Sequence, residues 1–188
     1  HPAAVGHLLK LLARRPENAT HVLLYGPPGT GKTSFTRALA RRLGVPAYQI
    51  VSGEDNTSVK RRTAIQACLN LTNHGNGSLV VVDEADNLLN TRHSWFDRGE
   101  TQDKGWLNQL LEQPGVRMIW IANSLEKMEA SVARRFAYSV AFHEFSRIQR
   151  VQVWESVLQA HRARKAFSKA EIQRLASRYP CTAGPVDL

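Results

Sequence analysis

Eight consecutive residues, Gly26-Pro-Pro-Gly-Thr-Gly-Lys-Thr33, constrain this chain more than any other feature. They fit G-x-x-x-x-G-K-[ST] without a mismatch, after an apolar run (His21-Val-Leu-Leu-Tyr25) and before a helix-forming one, the setting this motif requires. A turn of this kind wraps backbone N–H groups around phosphate oxygens, and glycines permit both the dihedrals and the close approach. The N-terminus of the following helix adds a partial positive charge. Lys32 is then expected on the β- and γ-phosphates of a nucleotide and the Thr33 hydroxyl on Mg²⁺. The embedded Gly29-Thr-Gly31-Lys-Thr-Ser34 is no dinucleotide fingerprint, because Ser34 stands where a third small glycine-like residue belongs.

The rest of the pattern alternates short β-rich runs with longer helical ones, which predicts an α/β fold with a parallel sheet covered by helices. Val5, Leu8, Leu9 and Leu12 recur at helical spacing over residues 2–15. A helix over 32–43 is stopped by Gly44 and Pro46, and 47–51 reads as a weaker strand. Thr57 is the expected N-cap of a helix reaching about residue 71, ended by the Asn73-His-Gly-Asn-Gly77 turn. Leu79-Val-Val-Val82 reads as a central strand buried on both faces. Residues 88–100 read as polar and irregular, 101–113 as a helix, and 117–122 and 138–142 as the fourth and fifth strands. From Ser146 onward only helical patterns occur, over 147–161 and 168–178, with Ser168 as a cap. This change of period predicts two domains, 1–145 and 146–188.

With 188 residues, 43% of them hydrophobic and 22% charged, the chain suits one globular domain with a small appendage. Its longest apolar runs, about five residues, fall far short of the roughly 20 that span a bilayer, so no membrane partner is expected. It starts at His1 without a signal-peptide pattern and reads as a piece of something longer. Cys68 and Cys181 form no C-x-x-C, as in a reduced cytoplasmic setting, and Cys68 reads as a buried, inert thiol. No cluster with metal-ligand spacing occurs, since His143-Glu144 lacks the second His of a zincin helix. A balance of 25 Lys and Arg against 16 Asp and Glu, +9 formally, attracts polyanions, whether nucleotide phosphates or nucleic acid.

Three further patterns suit phosphate chemistry. Asp83-Glu84 follows the run over 79–82, at the strand end where parallel sheets bind ligands. Asp83 is therefore expected to face the Mg²⁺ held by Thr33, and Glu84 to orient, or take a proton from, the attacking water. Acids here are also favoured by a helix dipole alone. Asn123 follows the fourth strand, placed to hold the water or touch the γ-phosphate, although Asn also commonly starts turns. Arg134-Arg135 precedes the fifth strand; such a pair is either solvated surface or the source of an arginine donated across a subunit boundary, worth about 10³–10⁵ in rate. Asp83-Glu-Ala-Asp86 also spells the DEAD-box tetrapeptide, but those helicases need two recombinase-like domains and a Ser-Ala-Thr motif that this chain lacks.

Taken together, these features resemble the AAA+ ATPases, and within them the AAA branch, over about residues 19–142. Gly26-Pro-Pro-Gly-Thr-Gly-Lys-Thr33 is similar to their Walker A, which implies nucleotide contacts from Gly26, Pro27, Pro28, Gly29, Thr30, Gly31, Lys32, Thr33 and Ser34. Val80-Val-Val-Asp83-Glu84 resembles Walker B, which implies Mg²⁺ on Thr33 and Asp83 and catalysis by Glu84. Asn123 matches sensor 1, and Arg134-Arg135-Phe136 resembles the arginine-finger segment, with Arg135 preferred for its place beside Phe136. The resemblance implies a three-layer αβα P-loop domain with sheet order 5-1-4-3-2 and the start of a helical lid. It further implies ATP and Mg²⁺ as cofactors, a homo-oligomeric ring, most often a hexamer, and hydrolysis coupled to remodelling a protein partner. A nucleic-acid-handling ATPase of clamp-loader or helicase-loader type is the alternative, and a nucleotide-dependent switch without turnover a third. Two departures stand out. Val51-Ser52-Gly53 replaces the aromatic-apolar-Gly pore loop, with Tyr48, in the strand, the nearest aromatic; Trp95 and Phe96, in the loop after Walker B, read either as a substrate contact or as core packing. No sensor 2 arginine is found, and Gly184-Pro-Val-Asp-Leu188 resembles only the start of its helix.

Overall fold

Parallel strands covered on both sides need near-continuous apolar sequence, and the two purest runs of the chain take inner positions of one sheet. In the computed structural model, which describes residues 2–13, 19–51, 57–73, 77–91 and 104–179, every residue of β3 (Leu79–Val82) and β4 (Arg117–Ala122) is buried. β1 (Thr20–Tyr25) lies on the other side of β4, while β2 (Ala47–Ile50) and β5 (Tyr138–Ala141) are more exposed and form the edges. The order is β2-β3-β4-β1-β5, with every neighbouring pair parallel, as the resemblance implies. In register, Ile119 pairs with Val22 and with Val81.

Parallel neighbours demand crossovers, and helices supply them: α1 (Pro2–Ala13) precedes the sheet, and α2 (Lys32–Leu43), α3 (Ser58–Asn73), α4 (Asp86–Leu89), α5 (Lys104–Glu112) and α6 (Ala130–Ala133) lie between its strands. Since side chains alternate along a strand, Leu23, Val80, Val82, Met118 and Trp120 share one face. They form a core with Ile65 and Leu69 of α3, Leu107, Leu110 and Leu111 of α5, and Val132 of α6. Val22, Leu24, Val81, Ile119 and Ile121 point the other way and are equally buried, as are Leu8, Leu12 and Leu39 of α1 and α2. This is the three-layer αβα architecture. Leu88 and Leu89, read as part of an irregular stretch, are instead buried in α4: an adjacent leucine pair beside the sheet gains more from the core than from water. Short helix α6 was likewise not expected; Val132 anchors it. Trp95, Phe96, Arg14, Arg15, Ser52, Gly53 and Cys181 lie outside the described residues, as do 184–188.

One polar pair sits inside this core. Trp120 Nε1 donates to His21 Nδ1 at 3.1 Å, fixing the tautomer that carries its proton on Nε2, and both residues have no exposed surface. Burial lowers the His21 pKa to about 4, with the Leu110 carbonyl acting the other way. The folded state therefore holds His21 neutral while the unfolded chain takes up a proton below about 6.5. Stability from this source is complete above pH 6.5 and declines as pH falls towards 4. The expected total loss is about 3 kcal/mol. Urea unfolding from pH 7 to 4.5 should show this slope in the wild type and a shallower one in His21→Gln, whose amide does not titrate.

The described residues pack as two units, one drawn from 1–25 and 32–141, the other from 26–31 and 142–188. In the second, α7 (Arg147–Ala160) and α8 (Lys169–Arg178) each begin with a capping box, Ser146 with Gln149 and Ser168 with Glu171. Arg150 joins them, donating from Nε to the Ala176 carbonyl at 2.9 Å and from Nη1 to the Phe145 carbonyl at 2.8 Å. A turn of 3-10 helix, Arg164–Ala166, lies between them where the pattern gave only a break.

Candidate active site

The loop Gly26–Gly31 leaves β1 and runs directly into α2. Gly26, Gly29 and Gly31 all have positive φ, at 140°, 71° and 88°, where a side chain is strained. Gly26 is doubly constrained, because a Cβ there would lie 1.9 Å from the Phe142 carbonyl oxygen. Thr30 is buried, and its hydroxyl donates to the Pro27 carbonyl at 2.8 Å, tying the loop across itself. Pro27, Pro28 and Gly29 are exposed, as is Ser34 two residues into the helix.

Where α2 begins, the sheet unit brings four of the expected residues together. Lys32 Nζ donates to Asn123 Oδ1 at 3.2 Å, although 91 residues separate them. Thr33 Oγ1 donates to Asp83 Oδ2 at 3.0 Å, and the Gln49 amide donates to the same oxygen at 2.8 Å. Lys32 is largely buried, and burial lowers its pKa; the carboxylates of Asp86 and Asp83 oppose the shift. Thr33 and Asp83 offer hard oxygen donors and remain partly exposed. That donor set suits Mg²⁺, which takes one or two protein oxygens and leaves its other positions to water and phosphate.

Glu84 follows with its side chain exposed and its backbone at φ 49°, in the left-handed region that a non-glycine residue adopts at a cost of order 1 kcal/mol. Its amide donates to Asp83 Oδ1 at 2.9 Å, and the Ala85 amide donates to the Ile121 carbonyl of β4 at 2.7 Å. The turn that carries the two acids is thus tied to the neighbouring strand.

Three contributors escaped the sequence reading. Asp86 Oδ1 accepts from the backbone amides of Asn123 at 2.8 Å and Ser124 at 3.1 Å, which orients Asn123 towards Lys32. Its signal was the fourth letter of the Asp-Glu-Ala-Asp string. Gln49 has no signal beyond its place near the end of a strand. Arg61, read as one of a basic triplet, is buried; Ser58, Arg61, Ile65 and Leu69 form the inward stripe of α3, and that spacing was available in the sequence.

The two arginines differ. Arg135 is held within the chain: Nε and Nη2 lie 3.0 and 2.9 Å from Glu112 Oε1, and Nη1 donates to the Ser131 carbonyl at 2.6 Å. Arg134 is exposed; its amide donates to the Ala130 carbonyl at 3.2 Å, and its side chain makes no hydrogen bond or ion pair among the described residues.

The family described as "ATPase family associated with various cellular activities (AAA)" matches over residues 22–144. The chain belongs to the AAA family. Among curated relatives, the AAA chain is 31% identical over 170 residues to the ATP-dependent zinc metalloprotease FtsH of Corynebacterium glutamicum, covering 84% of this chain and 19% of that protein. It is also 31% identical over 163 residues to the replication factor C large subunit of Haloquadratum walsbyi, covering 82% and 30%. The AAA chain thus spans less than a third of either relative's length. A crystal structure of the FIGL-1 AAA domain in complex with ADP shares the fold, with a TM-score of 0.58 at 19% identity over 85% of this chain and 59% of that one. Among the described residues, no helix is long and apolar enough to cross a membrane.

Proposed function

We propose that the AAA chain is the ATP-hydrolysing core of an oligomeric assembly that couples hydrolysis to remodelling a protein partner. The observation that carries this reading is the meeting of Lys32 with Asn123 and of Thr33 with Asp83 at the end of the phosphate-loop motif. A triphosphate on the loop adds an anionic partner at Lys32, which binds its β- and γ-oxygens. Thr33 and Asp83 are the residues that would hold Mg²⁺, which neutralises phosphate charge when bound. Asn123, oriented by Asp86, positions the attacking water, and Glu84 accepts its proton. Charge that accumulates on the γ-phosphate is met by an arginine of a neighbouring subunit. Arg134 suits that role, because Arg135 is already engaged with Glu112. In this reading residues 1–145 are the ATPase domain and 146–188 part of a helical lid.

Replacing Lys32 with Ala removes a charge-assisted contact, so ATP affinity should fall roughly 10- to 100-fold. Titration with a fluorescent ATP analogue measures it; unchanged affinity would remove the basis for placing phosphate here.

A nucleic-acid-handling role has its own support in the +9 charge and the likeness to a replication factor C subunit. Duplex DNA separates the two. The protein-remodelling reading expects phosphate release to be unchanged by DNA. Stimulation by DNA that declines steeply with salt would favour the other.

A further inference from the structure

We propose that Arg61 is a positioning residue for Glu84, holding the turn after β3 in the conformation that presents the Glu84 carboxylate to the attacking water. The guanidinium donates from Nη1 to the Glu84 carbonyl at 2.7 Å and from Nη2 to the Asp83 carbonyl. Successive carbonyls of an extended strand point to opposite sides, so one planar fork reaches both only where the chain turns. The turn is visible in the backbone, since Glu84 stands at φ 49°. A left-handed glutamate persists where its surroundings over-determine it. Here the determinants are the fork on the two carbonyls, the Asp83 carboxylate on the Glu84 amide and the Ile121 carbonyl on the Ala85 amide.

Arg61 itself is buried on the inner stripe of α3, with 4% of its surface exposed, and its Nε has no partner among the described residues. A buried cation is costly unless its hydrogen bonds are specific, and those of Arg61 go to two backbone carbonyls of the acidic turn. Burial works against its charge, and the carboxylates of Glu84, Asp83 and Asp86 offset that cost. The hydrogen bonds of Arg61 end on the backbone of the turn, so it acts through Glu84. Positioning Glu84 matters only if the AAA chain hydrolyses ATP as proposed above.

The test uses the complete protein in its assembled form, with Arg61→Met, which fills similar space without donors, and Arg61→Lys, which keeps the charge but has no fork. A displaced catalytic group costs about 100-fold. Arg61→Met should therefore lose about that factor in kcat while ATP binding stays within about threefold and the unfolding temperature confirms folding. Arg61→Lys, the milder change, should fall in between and remains informative if Arg61→Met does not fold. Combined with Glu84→Gln, either variant should add little further loss, because groups that act as one unit are not additive. Hydrogen exchange at the Ala85 amide, which does not depend on turnover, should accelerate in both. Folded Arg61 variants that turn ATP over at the wild-type rate overturn the positioning role and leave the hydrolytic reading standing. So does a loss in the Glu84→Gln background as large as in the wild type. A wild-type assembly that binds ATP and never hydrolyses it overturns the hydrolytic reading, and the role of Arg61 with it.

Discussion

Glu84→Gln is expected to bind ATP as tightly as the wild type and to turn it over about 10²–10⁴-fold more slowly, the usual worth of a positioned general base. The substitution keeps size and shape but removes the capacity to take a proton. Affinity should survive because the residues that meet the phosphate and Mg²⁺ in the proposed site, Lys32 and Thr33, bond to Asn123 and Asp83. The Glu84 carboxylate is exposed and makes no hydrogen bond among the described residues, so its loss should leave the fold intact. The hydrogen bonds that hold the turn, from Arg61 and to Asp83 Oδ1, involve no atom of the Glu84 side chain. Nucleotide titration and steady-state phosphate release, run on the same preparation, separate the two effects. Unimpaired release from Glu84→Gln would refute the role assigned to the carboxylate. The same variant, held in its ATP state, is the natural bait for whatever the assembly acts on.

Arg134→Ala is expected to lower turnover further still, by about 10³–10⁵-fold where the neighbouring subunit's site depends on it, again with ATP affinity spared. Arg135→Ala should behave differently. It breaks an ion pair whose partner, Glu112, has 64% of its side chain exposed, and such pairs are worth about 0–1 kcal/mol. Its principal effect is therefore a small change in stability. Mixing subunits tests whether Arg134 acts in trans. Arg134→Ala and Glu84→Gln subunits are each inactive alone, but a mixed assembly contains interfaces that join an intact Glu84 to an intact Arg134. Partial recovery of phosphate release on mixing is the expected result. No recovery in an assembly shown to contain both subunits would rule out donation across the interface. Equal losses in Arg134→Ala and Arg135→Ala would remove the distinction between them.

Much of the fold was legible because its requirements are local. Helix α2 begins at Lys32 and ends at Leu43 as the Gly31 and Gly44 boundaries predict, and the run over 79–82 is a fully buried strand. Thr57 caps α3 as expected, its hydroxyl accepting from the Lys60 amide at 3.4 Å. The misread stretch around Leu88 and Leu89 failed for a physical reason. Two apolar residues among polar ones carry no period, and their burial comes from the core beside them. Arg61 was hidden by its neighbours Lys60 and Arg62, which made charge the conspicuous property of a segment whose spacing placed one arginine inward.

What the sequence alone determined was the phosphate-loop motif, the alternation of strand and helix, and the residues able to serve phosphate chemistry. These depend on dihedral freedom, side-chain type and period within a few positions. The tertiary structure alone decided that Lys32 meets Asn123 across 91 residues, that Asp86 orients Asn123, that Arg135 is engaged and Arg134 exposed, and that Arg61 grips the turn at Glu84. Those relations arise where separate strands and helices converge, and no local pattern of residues records which side chains will meet there.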